Sequence, residues 1–287
     1  MFKYFTTINA TSAATAQAAY VAARIMAGYP GIWYETVRSL MVHSAEWTEN
    51  MKRQFCKDDK KTTGRKQLLR TCGYGIADLD RAIASMNNSV NMIIQAELQP
   101  YCKIGGKYKT KDMHMHKLPW PKDMLNKLEN TPVSMKVTLS YYIEPAPGEK
   151  GWKDKYRYSS CGLRFDVNNG NEEKEDFIKR INAAMREEKN DRGQGTSGSD
   201  RWYLGKDNRD VGSVHSDIWN GTAIQLAECN YVAVYPVIGW WRERHNLEMY
   251  DKKVRYSLIV TLATPDETID FYTPIETIIK TEVKIEV

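Results

Sequence analysis

Residues 12–28, Ser-Ala-Ala-Thr-Ala-Gln-Ala-Ala-Tyr-Val-Ala-Ala-Arg-Ile-Met-Ala-Gly, place alanine on nearly every face of any helix they form. Alanine has the highest helix propensity, and Gly28 with Pro30 supplies the stop, so a helix over 12–28 is expected. Its small side chains imply burial among close neighbours. A second helix is expected at about residues 34–44, where Val37, Leu40 and Met41 recur at helical spacing. Gly73-Tyr-Gly75 then reads as a turn ahead of a short helix near 77–85.

From about residue 88 the texture changes. Strand-like runs appear at 90–95, 133–142, 163–167, 231–237, 256–262 and 269–273, separated by Pro, Gly and Asn, which favours a sandwich over a parallel sheet. One amphipathic helix at about 172–188, with Phe177, Ile178 and Ile181 inward, interrupts them. The charged and Gly/Ser-rich stretch 187–201 reads as a mobile loop. Two domains are therefore expected, 1–86 and a β-rich, sandwich-like 87–287.

A chain of 287 residues has room for both. Its 42% hydrophobic content and eight Trp argue for a folded protein. The absence of a long apolar run or a leader-like amino terminus points to a soluble, cytoplasmic chain without membrane partners. Five scattered cysteines, none spaced Cys-x-x-Cys, suggest neither a disulfide framework nor a zinc site. The net charge of +5 is spread thinly outside 57–66 and 103–111, and no nucleic-acid module accompanies those runs, so no nucleic-acid partner is expected.

Thr11-Ser12 immediately precedes the alanine-rich helix. A serine there is either an N-cap or a nucleophile, since the positive end of the helix stabilises negative charge developing beside it. The wider pattern Ala10-Thr-Ser-Ala-Ala-Thr-Ala-Gln-Ala-Ala resembles the subtilase nucleophile motif Gly-Thr-Ser-x-Ala-x-Pro-x-x-Ala, with Ser12 on the nucleophile. Residues 29–45, from Tyr29-Pro-Gly through Val37-Arg to Ser44-Ala, resemble the next helix of that family. Gly73-Tyr-Gly75-Ile-Ala-Asp is similar to the segment that closes its catalytic domain. Ala10 replaces the usual Gly, Ala16 the usual Pro, and Gln17 stands where His often stands. A second Gly-Thr-Ser at 195–197 lies in a polar loop with no small-residue helix behind it, which makes Ser197 a poor candidate.

The resemblance implies a fragment of a subtilisin-like doubly wound α/β domain followed by the β-rich unit, and serine endopeptidase chemistry on protein or peptide substrates. It implies no cofactor and no metal. Subtilases supply Asp, His and Ser in that chain order, so with Ser12 so near the amino terminus the Asp and His segments are expected outside this chain. The isolated chain is then expected to be inactive. The implied partners are the missing upstream segment and, by similarity to some long bacterial subtilases, an AAA-type ATPase. The alternative is a non-catalytic remnant whose β unit binds a protein. Among the histidines, His43 is expected to cap or pack. His114 and His116, alternating with Met113 and Met115, face one side of a possible strand as two potential metal ligands without an evident third. His215 beside Asp217 invites a His–Asp pair, and Trp240-Trp241-Arg242-Glu243-Arg244 reads as a buried corner with an ion-paired rim.

Overall fold

The computed structural model describes residues 10–59, 61–83, 89–147, 158–187 and 201–264. The described amino-terminal residues form five helices, α1 (Thr11–Gly28), α2 (Tyr34–Ser44), α3 (Glu49–Phe55), α4 (Thr62–Cys72) and α5 (Leu79–Ile83). The helix α3 has a conventional start, its Thr48 side chain accepting from Met51 N–H at 3.2 Å. The helices expected at 12–28 and 34–44 match α1 and α2 closely.

After β1 (Ser89–Leu98), a hairpin of β2 (Tyr101–Ile104) and β3 (Lys107–Thr110) turns at Gly105-Gly106. Both glycines have positive φ, as a two-residue hairpin turn requires. There follow β4 (His114–Lys117), α6 (Lys122–Lys127), β5 (Pro132–Tyr141), β6 (Gly162–Val167), α7 (Lys174–Glu187) and α8 (Lys206–Arg209). The described chain ends with β7 (Val214–Thr222), α9 (Ala223–Ala227), β8 (Tyr231–Val237), α10 (Trp240–Glu243) and β9 (Val254–Ala263).

Two larger antiparallel sheets result, ordered β1-β9-β5-β7 and β4-β8-β6. Strand alternation sorts their side chains by face. In β5, Val133, Met135, Val137, Leu139 and Tyr141 are buried, as are Val254, Tyr256, Leu258, Val260 and Leu262 in β9. They share one apolar cluster with Leu163, Phe165 and Val167 of β6 and Val232 and Val234 of β8, so the sheets meet through their inner faces. Each fully buried Leu, Val or Phe contributes about 1.5–3 kcal/mol.

Helices cover the outer faces. Ala233 and Tyr235 of β8 pack with Phe177 and Ile181 of α7, while Ile259 of β9 packs with Val37 and Leu40 of α2. Five of the six expected strands coincide with these elements; the run at 269–273 and most of the loop at 187–201 lie outside the described residues. Among the described residues before 84, helices form and no strand does, so the doubly wound sheet of the expectation is not seen there.

Candidate functional site

Ser12 is the second residue of α1. Ala10 occupies the N-cap in extended conformation with no side-chain cap bond, so Ser12 is not an N-cap. Its side chain is exposed and has no partner among the described residues. The helix around it departs from the expectation of burial: every residue from Thr11 to Tyr20 is exposed, and Ile25 is the helix's one buried residue. Tyr20 is 55% exposed. Only the last two turns are held, through Val21, Ala22 and Ile25 against α2 and α5, with Tyr29 Oη donating to the Ile83 carbonyl. Nothing among the described residues covers this small-residue surface.

By contrast, α2 is anchored along its length to the outer face of the first sheet. Gln95 of β1 accepts from Trp33 N–H and Thr36 Oγ1, each at 2.8 Å. Arg38 donates to Ser140 Oγ at 2.8 Å and to the carbonyls of Tyr141 and Ser213, with its guanidinium 4.1 Å from the Tyr142 ring centroid. Arg255 lies 4.0 Å from the Trp33 ring and 3.2 Å from Glu35. Near the carboxy end of α2, His43 bonds Thr138 of β5 and Thr261 of β9 through its two ring nitrogens, and Lys136 Nζ donates to the Ala45 carbonyl. Burial, with Lys136 adding to it, holds the His43 pKa well below its ordinary value, and burial brings Lys136 down to about 8.

The Gly73-Tyr-Gly75 turn closes this region. Both glycines have positive φ, and Gly75 lies flat against the Glu46 backbone where a Cβ would collide. That approach permits the Glu46–Ile76 bridge, and Tyr74 Oη donates to the Val214 carbonyl of β7 at 3.0 Å.

The subtilase family model matches residues 2–75. That stretch is similar to part of the subtilase family. It runs through Ser12, α1, α2, α3 and α4 to Gly75, about a quarter of the chain, and every strand of both sheets lies beyond it. No curated protein and no solved structure shows significant similarity to the chain.

None of the five histidines has Ser12 as a partner. His43 is buried between α2 and the sheet, as expected of a packing residue. His114 and His116 do share one side of β4, and both meet Tyr256. His215 does not pair with Asp217. Its Nε2 meets the Gly212 carbonyl and its nearest carboxylate is Asp210 at 3.9 Å. Asp217 accepts instead from the backbone N–H groups of Leu204, Gly205 and Ile218. His245 stacks on Tyr108. Trp240 and Trp241 form the expected buried corner, and at its rim Arg242 reaches Thr110 and Arg244 the Pro147 carbonyl. Ser197 lies outside the described residues. Among the described residues no three His, Cys, Asp or Glu side chains cluster as a metal site, and no helix is long and apolar enough to cross a membrane. Sequence reasoning missed the polar outer face of β5 and β9, whose Lys136, Thr138, Ser140 and Thr261 receive α2 and the turn after it.

Proposed function

We propose that Ser12 is the nucleophile of a subtilisin-like serine endopeptidase whose Asp and His come from another segment. The observation that carries this reading is the family match over residues 2–75, which includes Ser12 in the first turn of a helix with an exposed small-residue surface. Acyl transfer needs a base to take the serine proton, an acid to orient that base, and donors for the oxyanion. The chain's own histidines are committed elsewhere, so the base arrives with the segment that covers α1. In this reading the exposed face from Thr11 to Tyr20 packs against the doubly wound sheet of the complete catalytic domain, and the sandwich-like β unit is held to that domain through α2. The substrate class is protein or peptide. The partner is the polypeptide bearing the Asp and His segments; an AAA-type ATPase rests on family resemblance alone.

The test is labelling of Ser12 by a fluorophosphonate probe, with the chain alone and co-produced with the polypeptide encoded directly upstream of it. Fast, stoichiometric labelling only in the reconstituted sample is expected. Equally slow labelling in both favours the second reading, a non-catalytic remnant whose β unit binds a protein; the substitutions Ala10 and Ala16 within the nucleophile motif are the observation in its favour.

A further inference from the structure

The two edges of the four-stranded sheet differ. At β7 the edge is taken, because Trp202 forms a bridge with Trp219 and Tyr203 N–H donates to the Ile218 carbonyl at 2.9 Å. At the other edge β1 pairs with β9 alone, and among the described residues its backbone makes no further hydrogen bond. Every second N–H and C=O along its ten residues therefore points away from the sheet. The side chains carry the same mark. Met92, Ile94 and Ala96 lie opposite Val260, Leu258 and Tyr256 of β9, which are fully buried, yet these three are only partly buried, and Ile93 on the other face is 38% exposed. Sheets guard a long open edge with proline, a bulge or lysine, and β1 has an unbroken register with neither proline nor lysine in it.

We propose that the open edge of β1 is the docking surface for residues 279–287 of the same chain, added as a further antiparallel strand. Those residues lie outside the described ones, and their sequence fits the place. Ile279, Thr281, Val283, Ile285 and Val287 alternate with Lys280, Glu282, Lys284 and Glu286, the pattern of a strand with one face on a core and one in water. The apolar set extends the row of Met92, Ile94 and Ala96 and covers what β9 leaves open, while the charged set faces outward, where lysine and glutamate guard the new edge. The path is short enough. Ala263, at the end of β9, sits directly opposite Ser89, the first residue of β1, so the chain leaves the sheet one strand away from the open edge. Fourteen residues, 265–278, separate Thr264 from Ile279 and can span about 46 Å, whereas the ten residues of β1 run about 33 Å, so the segment can enter from the Leu98 end and run antiparallel. The site lies in the β-rich unit and does not depend on the assignment of Ser12.

The experiment is residue-resolved amide exchange on the full-length chain at two protein concentrations, compared with Val283→Pro, which removes a ladder N–H from the middle of the segment. In the full-length chain alternate amides of β1, those turned from β9, should be protected to the same degree at both concentrations. Val283→Pro should speed their exchange at least tenfold and leave β5 unchanged, and Lys284→Ala, on the outward face, should leave β1 protected. Fast exchange of those amides in the full-length chain overturns the proposal, as does protection that survives Val283→Pro. Protection that grows with protein concentration also overturns it, because the edge is then paired with a second copy. Should Val283→Pro fail to fold, Ile285→Asp, which puts a charge on the covered face, is read by the same outcomes.

Discussion

His43 of α2 and Thr138 of β5 are joined at 2.8 Å, ring nitrogen to hydroxyl, across the boundary between the subtilisin-like segment and the first sheet. Thr138 passes the contact on to Ser216 of β7 at 2.7 Å, and the other nitrogen of His43 meets Thr261 at 2.6 Å. These groups lie largely out of water, so each depends on the others for its hydrogen bonds.

Replacing Thr138 with Val keeps the shape and removes the hydroxyl, leaving His43 Nδ1 and Ser216 Oγ each short of a partner. A loss of about 1–3 kcal/mol in urea-induced unfolding is expected, with amide exchange quickened first in α2. Unchanged stability would show that the His43 contacts contribute nothing to holding α2 on the sheet.

Acid should weaken the fold well before its carboxylates titrate. Burial lowers His43 far below the usual histidine range and brings His116 and His215 to about 4. Below about pH 6.5 the unfolded chain therefore takes up protons that the folded chain refuses, and stability falls as pH drops from about 6.5 toward 4. Each histidine adds up to roughly 1.4 kcal/mol per pH unit in that window and nothing above it. Asp217, raised by burial, offsets part of this near the lower end. Urea midpoints measured between neutral pH and the lower end of that window check the slope, and His43→Gln should make it shallower; a flat profile is the contrary result.

Proteases should divide the subtilisin-like segment rather than remove it whole. The exposed turns of α1 from Thr11 to Tyr20 are open to cleavage, whereas α2 is pinned by Gln95, Arg38 and His43. Brief digestion followed by mass spectrometry should find cuts before about residue 21 and a resistant product that retains α2. Clean removal of everything up to residue 86 would mean that the α2 interface does not hold in solution.

Much of the β-rich part is legible because its strands alternate. Val133, Met135, Val137 and Leu139 announce β5, and Leu258, Val260 and Leu262 announce β9 in the same way. The strand β7 is not legible. Its buried positions include His215 and Asp217, and the burial of Asp217 is compensated by backbone donors from Leu204 and Gly205 that only the folded chain brings near. For α1 the sequence predicts the helix, but not its exposure: alanine favours a helix by propensity alone and fits a buried or an open face equally well. Ser12 is reachable through motif resemblance alone. Tyr256 as the shared partner of His114 and His116 is not reachable, because cross-sheet neighbours have no sequence spacing.

The Gly73–Gly75 turn is a stringent local element. Gly75→Ala adds a methyl against the Glu46 backbone at a left-handed φ, and should cost roughly 1–3 kcal/mol while loosening the Glu46–Ile76 bridge. Gly31→Ala, also at positive φ but with open space around it, should cost less. Thermal unfolding of the two variants side by side checks the order.

Among the described residues Ser12 has no base beside it, and hydrolysis of a denatured protein substrate by the purified chain tests that most directly. The expected result is no hydrolysis above background, identical for the wild-type chain and Ser12→Ala, because an unactivated serine is a weak nucleophile. Robust hydrolysis that disappears in Ser12→Ala would contradict it, since the 287 residues would then contain a complete catalytic apparatus.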